Sequence, residues 1–329
     1  MRPLRRLLVL VSFSTLVLVA LSPAFARSER EGPAEVSLPG TESVVLESKT
    51  VGEAYRIFVA HPMVPPRSPD QKFPTLYLLD GDISFPMVRQ IALSLTSGME
   101  LPPVLIVGIA YPGGERQAGA LRTRDYTPSP DPVFTRIAQR WGGAVEGDAA
   151  SGGASKFLRF LTTELKPYIE ENYPADPQDS TLFGISFGGL FATYALLETP
   201  GEFQRFVIGS PSLWWGDKQM FQIEERFAKN HDDLEASVFL AAGGRETAEH
   251  DEAILEKLPE PLRRPMLELQ EAMDGGPLML EVVQPFVEQL RGRNYPGLDL
   301  TFHVFDHETH GSAPPMIISR GLRVVFDTF

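Results

Sequence analysis

A serine flanked by glycines stands near the middle of this chain, in Gly184-Ile185-Ser186-Phe187-Gly188. G-x-S-x-G between an apolar strand and a helix is the pattern of a sharp strand-to-helix turn that exposes a serine hydroxyl. The glycines are needed sterically, because a side chain at either place would collide with the adjoining strand or helix. The turn also forces the serine into strained backbone angles. The flanks fit: Ser180-Thr181-Leu182-Phe183 reads as a buried strand, and Gly189 to Leu197 as a helix with small residues near its start. A glycine-rich turn whose serine merely caps the helix is the plainer alternative.

A serine hydroxyl is a poor nucleophile at neutral pH and needs an adjacent base. Around such an elbow the acid and then the histidine follow the serine along the chain. That order filters the six histidines. His61 precedes the serine, His231 precedes the seventh strand-like segment, His250 lies in an acidic stretch just after it, and His303 is inside the last strand. His307 and His310 remain, in the loop that follows that strand. His310 is preferred, because Gly311 lets the chain turn beside it and Pro314-Pro315 then start a helix. The acid belongs just past the seventh strand, where Glu246 comes first, with Glu249 and Asp251 behind it. A serine–histidine dyad without an acid is the alternative. Charge developing on a tetrahedral intermediate calls for preorganised donors, worth about 3 kcal/mol each. The amides of Phe187 and of Asp82, in the turn Leu79-Asp80-Gly81-Asp82, are the expected pair. His303, His307 and His310 could also be drawn as zinc ligands with Asp306 and Glu308, but their spacing spans a strand end and a loop. No metal or organic cofactor is expected.

Positioning these groups takes a sheet. Eight apolar segments read as strands: Val44–Ser48, Ala54–Ala60, Thr75–Leu79, Val104–Ile109, Thr181–Gly184, Phe206–Ile208, Ser237–Ala242 and Leu300–Phe305. From the third onward they are near-continuous apolar runs, as expected of a parallel sheet covered on both faces. The first two are close enough for an antiparallel hairpin at one edge. Helical stretches alternate with the strands, which implies a layered α/β domain. The clearest spans Ser155–Asn172, with Pro167 expected to bend it. Two segments exceed a minimal sheet: residues 111–154, and 245–297 with acidic helices near Pro265–Met273 and Leu278–Arg291. Long insertions at strand ends often form lids or pocket walls.

Residues 1–26 read as a signal peptide, with Arg2, Arg5 and Arg6 before the apolar run Leu7–Leu21 and Ala24-Phe25-Ala26 as a cleavage site. An uncleaved anchor is the alternative, although fifteen residues are short for a span of about 20. A flexible lead-in over 27–41 then precedes a single domain over 42–329. Cleavage would leave 27 lysines and arginines against 43 acids, a net charge of −16. Such a surface repels nucleic acid and anionic lipid. The chain has no cysteine, which excludes disulfides and a thiolate nucleophile.

The chain resembles the esterase family of α/β hydrolases that includes the enterochelin and salmochelin esterases and is related to S-formylglutathione hydrolases. The matching pieces are Leu78–Asp82, Val107–Tyr111, Arg122–Pro128, Gly152–Phe157, Gly184–Gly189, Ser210–Trp215 and His310–Ser312. The resemblance implies an α/β-hydrolase fold, with a mostly parallel eight-stranded sheet, helices on both faces and lid-like insertions. It also implies an exported serine carboxylesterase, with Ser186 as nucleophile and His310 as base, acting on a small-molecule ester such as a siderophore lactone. An acyltransferase and a non-catalytic envelope binding protein are the alternatives. Arg122 and Arg124, with Arg116, could meet an anionic or catecholate substrate, or could pair with Asp125 and pin their loop. Trp214 and Trp215 read equally as aromatic pocket wall or as core.

Overall fold

The computed structural model describes residues 37–113, 115–132, 134–135, 151–272 and 279–326. The expected leader and most of the lead-in lie outside these residues, as do parts of both insertions and the Arg116 side chain.

Eight strands form one sheet: β1 Thr41–Glu47, β2 Ala54–Ala60, β3 Phe73–Leu78, β4 Leu105–Ala110, β5 Ala175–Ile185, β6 Arg205–Gly209, β7 Ala236–Gly243 and β8 Leu298–Phe305. Their order across the sheet is β1-β2-β4-β3-β5-β6-β7-β8. β1 and β2 pair antiparallel, as do β2 and β4, and every later pairing is parallel. The expected edge hairpin is therefore present. Alternation along the buried strands feeds two cores. Leu76 and Leu78 of β3 point to one, with α1 (Gly81–Ser97) and the C-terminal helix Pro314–Val325. Tyr77, Leu182, Ile208 and Leu240 point to the other, with helix Phe187–Glu198.

The long helix expected over 155–172 is three pieces. Ala154–Phe160 and Lys166–Asn172 are α-helical, and a π-helical turn, Leu161–Leu165, joins them. Proline lacks an amide hydrogen and collides with the carbonyl four residues back, so the chain widens by one residue just ahead of Pro167 instead of breaking. β5 begins at Ala175, six residues before its apolar run. There Phe73 pairs with Ala175, and a register shift follows before Thr75 pairs with Ser180. Among the described residues, no helix is long and apolar enough to cross a membrane.

Candidate active site

The elbow forms at the carboxyl end of β5. Ser186 sits at φ 61°, ψ −121°, between the strand and helix Phe187–Glu198. A side chain on Gly184 would put Cβ 2.2 Å from the Gly188 carbonyl oxygen, so the crossing of strand and helix leaves no room for one. Ser186 also takes its place in the sheet's edge, donating its amide to the Gly209 carbonyl at the end of β6.

Two neighbouring strand ends supply the other groups. Glu246 follows β7 and His310 follows β8, and His310 Nδ1 bonds Glu246 Oε2 at 2.7 Å. The second carboxylate oxygen, Oε1, accepts from the Ser210 hydroxyl at 2.5 Å and from the Gly243 amide at 2.7 Å. Burial works to raise the pKa of Glu246, but these bonds outweigh it and hold the carboxyl below its usual range. Glu246 is buried while the His310 side chain is 45% exposed, so the pair runs from the interior to an open surface. Ser210, at φ 38°, carries a left-handed backbone that few residues other than glycine adopt. Sequence reasoning gave Ser210 no role; the signal was its place just past β6 in Ser210-Pro211-Ser212-Leu213-Trp214-Trp215.

Ser186, Phe187, Glu246 and His310 line one cavity of about 440 Å³. No direct hydrogen bond joins the Ser186 hydroxyl to His310; such contacts commonly tighten only when substrate binds. His307 is exposed at φ 71° and stands outside the cavity. His303 packs edge-on against Phe305, 4.4 Å between centroids. Among the described residues, no group of three or more histidines and carboxylates converges as metal ligands. Asp82 is exposed in the first turn of α1, and its carboxylate accepts from the Tyr111 amide at 3.0 Å. It is absent from the described cavity wall, although its turn abuts the elbow: a side chain on Gly188 would put Cβ 3.3 Å from Asp80 Oδ2.

Neither Arg122 nor Arg124 lines the cavity, and both make the internal pairs that were the alternative reading. Arg122 makes a two-point pair with Asp80, at 2.6 and 2.8 Å, and its guanidinium lies 5.3 Å from the centre of the Phe187 ring. Arg124 bridges Asp125 at 2.7 Å and Glu53 at 3.0 Å. Asp125 is fully buried and also accepts from the Tyr55 and Tyr111 hydroxyls. Burial holds its carboxyl above the usual range in spite of these partners. Arg124→Ala should therefore cost about 3–5 kcal/mol through a stranded buried charge. Thermal melting should fall by at least about 6 °C, with KM for a small ester unchanged. An unchanged melting point with a raised KM would instead favour the substrate-binding role.

Trp214 lines the cavity, whereas Trp215 is buried beside it and donates its indole N–H to the Ser129 carbonyl at 3.1 Å. Most of the remaining wall comes from the second insertion, and Phe134 comes from the first. Its helices are Ala248–Leu255, Glu260–Ala272 and Met279–Arg293, the first of them not foreseen. His250, Ile254, Met266 and Met279 face the cavity.

Comparison with known proteins finds esterases of similar sequence and fold. Ferri-bacillibactin esterase BesA of Bacillus subtilis (strain 168) is 30% identical over 294 residues, covering 87% of this chain and 90% of the relative. The crystal structure of the BES protein from Bacillus cereus matches with a TM-score of 0.67 at 29% identity, covering 90% of this chain and 98% of that one. Siderophore hydrolase EstB from Aspergillus nidulans matches at 0.69 and 25% identity, covering 88% and 96%. Fold and relatives define an ester-cleaving enzyme of the α/β-hydrolase class. The chain belongs to the esterase family whose model, described as "Putative esterase", matches residues 48–264.

Proposed function

We propose that the protein is an exported serine carboxylesterase that opens the ester bonds of a siderophore lactone through an acyl-enzyme. One observation carries the catalytic part: a histidine bonded at 2.7 Å to a buried carboxylate, on the wall of the cavity that Ser186 also lines. With Nδ1–H donated to Glu246, His310 Nε2 takes the proton from Ser186 as Oγ attacks the ester carbonyl. The amide of Phe187 receives the developing oxyanion. The amide of Asp82 serves as second donor, since first-turn amides lack partners within their helix. Collapse breaks the ester C–O bond and His310 returns the proton to the leaving alkoxide. Water then repeats the sequence, releasing the acid and restoring Ser186.

The siderophore reading is supported by the relatives, among them the apo-salmochelin esterase of Escherichia coli O6:H1 at 30% identity over 162 residues. Export is supported by the arginine-led apolar leader and its Ala24-Phe25-Ala26 site. Residues 42–329 then act as one catalytic domain. Incubation with an enterobactin-type cyclic trilactone, followed by chromatography, should show linear fragments. Turnover of p-nitrophenyl butyrate with the trilactone left intact would overturn the substrate and leave the esterase.

A further inference from the structure

We propose that β8 is the seam of a two-fold dimer, in which the free edges of two copies pair antiparallel about Thr301 into one continuous sheet. Pairing of this kind is independent of the chemistry at Ser186.

The edge is bare. β8 is the last strand of the sheet and pairs on one side only among the described residues. All of it matches β7 in unbroken register, from Leu298 opposite Ala236 to Phe305 opposite Gly243. Free edges are normally blunted by shortness, lysine, proline or a bulge, because an open row of amides and carbonyls invites another strand. β8 has none of these devices, and Asp299 is its one carboxylate. Leu298, Leu300, Phe302 and Val304 lie half-buried, whereas β7 is buried along almost its whole length. The opposite edge differs, since β1 exposes Glu42 and Glu47 near its two ends.

The sequence of β8 says what covers it, because it is complementary to itself. A two-fold axis perpendicular to a sheet keeps each face on its own side. The axis must therefore pass through a residue, and it pairs positions whose side chains share a face. With the axis at Thr301, Leu300 meets Phe302 and Leu298 meets Val304 on one face. On the other, Asp299 meets His303 twice and Thr301 meets its own copy. Apolar, opposite-charge and threonine pairs of this sort stabilise antiparallel neighbours. Moving the axis to Leu300 or Phe302 sets Asp299 against Thr301 or Phe305 and loses the match. The surroundings of His303 call for the same carboxylate. Burial, and then the nearby Arg320 on the C-terminal helix, hold its imidazole below the usual range, with Asp306 acting against them. Neither Asp299 nor Arg320 has an ion pair among the described residues. Asp299 of a second copy supplies an acceptor for the imidazole N–H and a counter-charge for Arg320.

Sedimentation velocity on protein purified from the full chain should give the mass of two copies at micromolar concentration. Thr301→Lys sets two ammonium groups at the axis, and Asp299→Arg turns a like charge toward Arg320. Each substitution acts twice through the symmetry and should raise the dissociation constant by about a hundredfold. Far-UV circular dichroism checks that each variant has folded. Asp299→Arg combined with His303→Asp reverses the pair and should recover most of the lost affinity. A chain without cysteine also allows a direct reading. Thr301→Cys should oxidise to a covalent dimer with copper phenanthroline, while Val45→Cys on the exposed face of β1 should not cross-link. A monomer at every concentration tested overturns the seam, whether its β8 amides exchange freely or are shielded by another segment of the chain. So does a dimer that survives both charge variants, or one that cross-links through Val45→Cys in place of Thr301→Cys.

Discussion

Alanine in place of Ser186 should lower kcat for p-nitrophenyl butyrate by about 10⁶-fold, close to what loss of the nucleophile costs in other serine hydrolases. The reason is chemical. Without the hydroxyl no acyl-enzyme forms, and the cavity and oxyanion donors retain only their own modest acceleration over water. The substitution removes one oxygen at a position already exposed to the cavity, so the melting point should stay within a few degrees of wild type. Strain at φ 61° persists with alanine, which prevents a large gain. Activity within tenfold of wild type, measured on protein freed of contaminating esterases by active-site titration, would remove Ser186 from the chemistry.

Glu246→Gln should cost about 10⁴-fold in kcat while leaving the fold intact. The amide has the carboxylate's shape but one oxygen and one N–H₂. Either the Gly243 amide or the His310 Nδ1–H then faces a donor where it had an acceptor. The imidazole loses its orientation and the negative charge that stabilises its protonated form. Stability against pH gives a second reading. The folded-state value of Glu246 is depressed, so its contribution is complete above the ordinary 4.5 of a free side chain and fades as pH falls through the lower folded value. The variant should lack that acid-side slope. A loss under tenfold in kcat would mean that Ser186 and His310 work as a dyad, the alternative left open by the sequence.

Much of this was legible in the chain because the strongest signals are local. Eight apolar runs became eight strands, and the glycines around Ser186 needed only the steric logic of a crossing strand and helix. Chain order put Glu246 first among three carboxylates past the seventh strand, and only the fold shows that it is the one bonded to His310. What was hidden depends on partners distant in sequence. Arg122 pairs with Asp80, 42 positions away, and nothing near Arg122 announces it. Ser210 reaches Glu246 across the ends of two adjacent strands, 36 positions apart. The start of β5 reads as a loop because Asp176, Pro177, Gln178 and Asp179 are polar or helix-breaking, and only pairing with Phe73 makes it a strand. Helix Ala248–Leu255 escaped because its acidic residues swamp the short apolar stripe that ends in Ile254 and Leu255.

The full occupancy of Glu246 has a consequence for His310. With Oε1 taken by Ser210 and Gly243, only Oε2 is left for the imidazole, and it calls for a hydrogen on Nδ1. Of the two neutral tautomers of the ring, the one with a bare Nε2 is selected before any substrate arrives. On the proposed mechanism, each cycle then starts with the lone pair already on the reactive nitrogen and no prototropic rearrangement to wait for.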